Sequence, residues 1–143
     1  MRLVPDLEAR FIRREIRIDV RRFVKPGVLA DRPGGPYTEE DFESRTGPTE
    51  YIVDVDAIAD ADGVWFLCPK CCADNGGRAG THAAICWFVG RVPDEVQPKP
   101  GRWTPQGTGL SDLTFVPSAG RTQSVQLTGG CGWHGFVVNG YAA

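Results

Sequence analysis

The run Asp60-Ala61-Asp62-Gly63-Val64-Trp65-Phe66-Leu67-Cys68-Pro69-Lys70-Cys71-Cys72 carries the two signals from which the fold is read. Asp62-Gly63 is a tight-turn dipeptide, and the apolar, β-prone residues after it read as a strand. That strand runs straight into Cys68, which forms a Cys-x2-Cys knuckle with Cys71. Two intervening residues let both sulfurs converge on one ion from a tight turn, as in structural zinc sites. One knuckle supplies two ligands, and a tetrahedral site needs four.

Two pairs elsewhere in the chain can complete it. Cys131-Gly132-Trp133-His134 repeats the two-residue spacing between Gly129-Gly130 and Gly135, and glycines on both sides permit the tight backbone of a knuckle. His82 and Cys86 are the alternative ligands, in the order Cys-x2-Cys-x10-His-x3-Cys. On a strand over 83–89, however, these two would stand about 13 Å apart at ~3.3 Å per residue. The expected metal ligands are therefore Cys68, Cys71, Cys131 and His134, holding one structural Zn2+. Cys86 is expected in the apolar core and Cys72 as a spare thiol.

Away from the cysteines the chain reads as mainly β. Further strands are expected over 51–55, 113–116, 124–127 and 135–138, with Asn139-Gly140 as a last turn. Strict alternation in Ile16-Arg17-Ile18-Asp19-Val20-Arg21 predicts a strand over 15–24, with a short helix before it. Thr38, followed by Glu39, Glu40 and Asp41, predicts a short helix at about 39–45. Residues 75–80 form a glycine-rich loop. Residues 90–109 hold four prolines and four glycines, so 90–110 is expected to be a long irregular excursion. With 18 glycines and 11 prolines in 143 residues, a helical bundle is excluded. The expected fold is one zinc-stapled domain over 1–143, built of short antiparallel strands with at most one or two short helices and long loops.

Charge and cysteine content narrow the function classes. Five cysteines cannot all pair, and the N-terminus lacks the apolar core of a secretion signal, so metal binding is expected rather than a disulfide framework. The longest apolar run, Ala83 to Val89 with Ile85 to Val89 as its bulky part, is far short of the ~20 residues of a membrane span. The expected location is the cytoplasm at synthesis. Residues 1–32 carry nine Lys and Arg against five acids, whereas the remainder carries seven against thirteen. A basic arm and an acidic body suit self-association or an acidic protein partner. The arginines of residues 10–22 also offer a face for nucleic acid.

The motifs GVWFLCPKC, GTHAAICWF, LTFVPS and LTGGCGWHGFVVNG, within residues 50–141, resemble a small family common among phage and prophage genes and sometimes labelled ammonia monooxygenase. The resemblance implies zinc at Cys68, Cys71, Cys131 and His134, and a virion as a further location. Three function classes follow. The first is a non-catalytic, zinc-stabilised structural or interaction protein, phage-encoded, as a virion component or assembly accessory. The second is a nucleic-acid-binding zinc ribbon. The third is a small metal-dependent hydrolase with His82 as proton shuttle, although no HExxH helix or zinc-deaminase signature is present.

Overall fold

The structure is a computed structural model that describes residues 1–5, 8–18, 21–23, 42–44, 48–118 and 123–143. The chain forms two compact units, one of Met1–Arg13 with Val53–Ala143 and one of Arg14–Ile52.

The larger unit is organised by the strand that opens the knuckle. Strand β5 (Gly63–Leu67) pairs antiparallel with both β1 (Ala9–Ile18) and β6 (Ala83–Trp87) in a sheet of order β4-β1-β5-β6, where β4 is Pro48–Val55. A central strand buries both faces, which is why β5 is apolar throughout instead of alternating. Val64 and Phe66 point to one side, opposite Cys86 and Ala84 on β6 and Phe11 and Ala9 on β1. They join Phe88, Leu113, Phe115, Val125, Trp133 and Val137 in the main core. Ile12 and Trp87 pack on the other side with Val92. Gly63 is required here, since a Cβ on it would lie 2.8 Å from the Trp87 ring and 2.7 Å from the Cys86 carbonyl.

The rest of this unit is a series of two-stranded ladders. They pair β7 (Thr104–Gln106) with β8 (Thr114–Val116), β9 (Val125–Gln126) with β10 (His134–Gly135), and β11 (Val137–Val138) with β12 (Tyr141–Ala142). Asn139 and Gly140 both adopt positive φ, 49° and 73°, as the tight turn between β11 and β12 requires. Leu3 N donates to Gly140 O and Ala142 N to Met1 O, so the first residues lie along β12. Arg10 sits 4.5 Å from the Trp65 ring centroid and 3.5 Å from Asp54. Arg14 and Glu50, in the smaller unit, form a two-pronged pair at 2.8 and 3.2 Å. That unit also holds the ladder of β2 (Arg21–Phe23) with β3 (Phe42–Ser44).

The mainly β architecture of short antiparallel strands is as expected, with a single α-helix, α1 (Pro69–Asn75), among the described residues. Three local expectations change. The helix expected before residue 15 is strand, because β1 starts at Ala9 and lies between two other strands. The helix expected at 39–45 is strand over Phe42–Ser44, where pairing with β2 overrides the cap signal; its other residues, like 19, 20 and 24 of the expected strand 15–24, lie outside the described residues. The third is α1 itself, where a knuckle turn was expected.

The 90–110 excursion is irregular apart from β7, yet it is built around one buried cation. Arg102 is 3% exposed, and its guanidinium donates to the carbonyls of Pro93, Val96, Pro98 and Gly101 at 2.6–3.0 Å. Trp87 Nε1 adds a bond to Gln97 O at 2.8 Å. Peptides Gln97-Pro98 and Lys99-Pro100 are cis.

Candidate metal centre

Three stretches of chain deliver four ligand atoms to one place: the sulfurs of Cys68, Cys71 and Cys131 and a ring nitrogen of His82 all lie within 4.8 Å of one another. Cys68 Sγ is 3.3 Å from Cys131 Sγ, and His82 Nε2 is 3.4 Å from the same sulfur. None of the five cysteines is in a disulfide.

Each ligand is positioned by local chain physics. Cys68 ends β5 and is the N-cap of α1; Pro69 then starts the helix, where its missing N–H costs nothing. The first turn of α1 carries Cys71 back toward Cys68, and Cys72 N closes it on Cys68 O at 2.9 Å. The helix stops at Gly76, which takes the left-handed φ of 71°. Thr81 ties the following loop, donating from Oγ1 to Gly77 O and accepting from Asn75 Nδ2. His82 emerges from this loop directly opposite Cys68, because the β5–β6 register pairs Leu67 with Ala83 and Cys68 N donates to His82 O at 2.8 Å. Such a cross-strand pair has its Cα atoms about 5.5 Å apart. Cys131 comes from the tip of the β9–β10 hairpin. It sits between Gly130 and Gly132, both at positive φ (61° and 66°), with Gly132 N bonded to Gly129 O. Lys70 Nζ holds that tip by donating to Cys131 O at 3.3 Å.

Of the expected ligands, Cys68, Cys71 and Cys131 come together and His134 does not join them. The turn around Cys131 is over by residue 133, so alternation along the strand sends Trp133 into the core against Phe66 and His134 to the opposite side. There His134 pairs with Gln126 and stacks on Phe136. Its place is taken by His82, from the alternative pair. Cys86, the other member of that pair, lies opposite Val64 deep in the core, where burial pushes its thiol pKa up. The strand-distance argument thus separates Cys86 from the site correctly, but it does not apply to His82, which sits just before the strand. The hairpin register was the signal that identifies His82, since a strand paired from Gly63 to Leu67 sets Cys68 against it.

The donor set suits a cation. His82's hydrogen bond, against the opposing effect of desolvation, brings Cys131 down to about 6, aided by Cys68. Desolvation and the hydrogen bonds to Cys131 and Cys68 push Cys71 up to about 12. Cys131 is therefore favoured over Cys71 as a thiolate, and a central positive charge would favour the thiolate of Cys71 as well. Sulfurs about 2.3 Å from a tetrahedral centre stand about 3.8 Å apart, within the 4.8 Å that spans all four ligand atoms here. Cys68, Cys71, His82 and Cys131 thus form a possible metal-binding site of three sulfurs and one nitrogen. No helix among the described residues is long and apolar enough to cross a membrane. No family model, curated protein or solved structure matches this chain.

Proposed function

We propose that this chain is a non-catalytic structural or interaction protein in which one zinc ion, held by Cys68, Cys71, His82 and Cys131, clamps the β5–α1 junction, the β6 entrance and the β9–β10 tip together. The observation that carries this reading is the convergence of four side-chain donors within 4.8 Å. They fill a tetrahedral sphere, and catalytic zinc keeps a position open for water. His82, the proton shuttle of a hydrolase reading, has its Nε2 3.4 Å from Cys131 Sγ, where it would serve as the fourth ligand. Three thiolates and one imidazole favour zinc over the hard, oxygen-seeking cations. A nucleic-acid role is less well supported, because Arg10 and Arg14 of the basic arm already face Asp54 and Glu50. The resemblance of the motifs to the phage family points the reading toward a virion component or assembly accessory.

Metal analysis tests the ligand set. The purified chain should carry about one zinc per molecule. His82→Ala should lose it at chelator concentrations that leave His134→Ala fully loaded. The reverse ranking would return the fourth ligand to His134 and overturn this assignment.

A further inference from the structure

A groove of about 620 Å³ opens beside the metal centre, between β6, the residue 98–101 loop and β9. Backbone geometry on its walls points to a particular kind of occupant. Cys68 N donates to His82 O and Phe88 N to Asp62 O, so even-numbered residues of β6 turn their peptide groups toward β5. The peptide groups of Ala83 and Ile85 therefore face outward, and β6 is an edge of its sheet. Trp103 covers that edge only farther along, where it bonds Trp87 O and Val89 N. On the β9 wall, Leu127 N donates to Trp133 O, which directs the peptide group of Gln126 away from β10. Ser124 O, of the same parity, accepts from Trp103 Nε1, another residue lining the groove. Among the described residues, no backbone partner meets Ala83, Ile85 or Gln126 on these outward sides.

The lining also carries a charge signature. It includes Lys99 but no Asp or Glu, in a chain where acids outnumber Lys and Arg 18 to 16. Ala83, Gly101 and Gly129 keep the walls low enough for a backbone to approach. We propose that this groove binds an extended acidic segment of a partner protein, which adds as a strand to the outer edge of β6 and places an Asp or Glu side chain against Lys99. Strand addition draws affinity from main-chain hydrogen bonds and specificity from side-chain contacts, and both elements are available here. The proposal gives the interaction reading its partner class and rests on that reading, because His82 and the tip at Gly129 belong to both sites.

Fluorescence anisotropy with the full-length, metal-loaded chain tests it. The probe is a pool of fluorescein-labelled peptides alternating Val and Thr around a central Asp or Glu. One control pool carries Lys at the centre, and another is N-methylated at alternate residues, which blocks strand pairing without altering charge. The acidic pool should bind saturably, and both controls at least about tenfold more weakly. Lys99→Glu should weaken the acidic pool by a similar factor while retaining its metal. Absence of saturable binding by the metal-loaded protein, or indifference to N-methylation, overturns the proposal. A dimer of the chain alone that dissolves in Lys99→Glu would also overturn it, assigning the groove to a second copy. Metal content, measured on the same samples, distinguishes failure of the groove from failure of the zinc site.

Discussion

His82 and His134 show how little a histidine's sequence neighbours say about its role. His134 has the better motif, three residues from Cys131 in a glycine cradle, yet the strand pleat turns it away. The cysteine near His82 in sequence is Cys86, which lies in the core, yet the hairpin ladder sets His82 opposite Cys68. Cys86 allows a direct check at the same scale. Cys86→Ser would bury a hydroxyl in the apolar core, so it should cost about 1–3 kcal/mol in denaturant unfolding and leave metal content unchanged. Asp112 supplies a pH test. Its carboxylate accepts from the backbone N–H of Gly109 and from both the N–H and the hydroxyl of Thr108, at 2.9–3.0 Å, and these bonds hold its pKa below the usual carboxylate range. A carboxyl depressed in this way contributes stability above its unfolded value of about 4 and loses it as pH falls through the folded value. The amide resonances of Thr108 and Gly109 should therefore shift at a pH below that of an unperturbed Asp, and Asp112→Asn should abolish the transition.

At the scale of elements, the excursion over 90–110 departs most from its appearance in sequence. Proline and glycine marked it as irregular, and most of it is, but irregular here means wrapped around the Arg102 guanidinium. Four backbone carbonyls that no strand or helix could satisfy are gathered by one side chain. Arg102→Met keeps the apolar stem and removes those donors, so it should destabilise the chain by about 2–4 kcal/mol. Hydrogen exchange should show protection lost first over residues 91–103. Helix α1 was partly legible: Pro69 at its first position and Gly76 just past its end follow the usual asymmetry of helix termini, but the knuckle signal over the same residues masked them. In β1, the period-four spacing of Ile12 and Ile16 imitated a helix. The strand instead buries neighbouring Phe11 and Ile12 on opposite faces, since each face has its own core cluster.

For the molecule as a whole, the candidate metal centre and the apolar core hold different things. The core joins β1, β5 and β6 to the C-terminal ladders through Phe66, Phe88, Phe115 and Trp133, whose rings meet edge-on in the pairs Phe66–Trp133 and Phe88–Phe115. The four ligands instead tie the loops that emerge from that core. Chelation should therefore loosen residues 69–82 and 129–133 before the β5–β6 ladder. Hydrogen exchange in EDTA should show that order, with a lower Tm, about 2–4 °C for each kcal/mol lost at this chain length. Simultaneous loss of protection in all these segments would mean that the ion supports the entire larger unit.

Local chemistry was readable from the chain: strands marked by β-prone apolar runs, turns marked by Asp-Gly and Asn-Gly, three of the four clustered donor residues, and Cys86 as core. Each of these depends on residues within a few positions of one another. The fourth ligand, the cradle around Arg102 and the open edge of β6 depend on which strand lies opposite which, and at what offset. A shift of one residue in the β5–β6 register would remove His82 from Cys68 and reverse the peptide groups that line the groove. That offset is fixed when the two faces of the sheet bury their side chains together, a condition met only by the folded molecule.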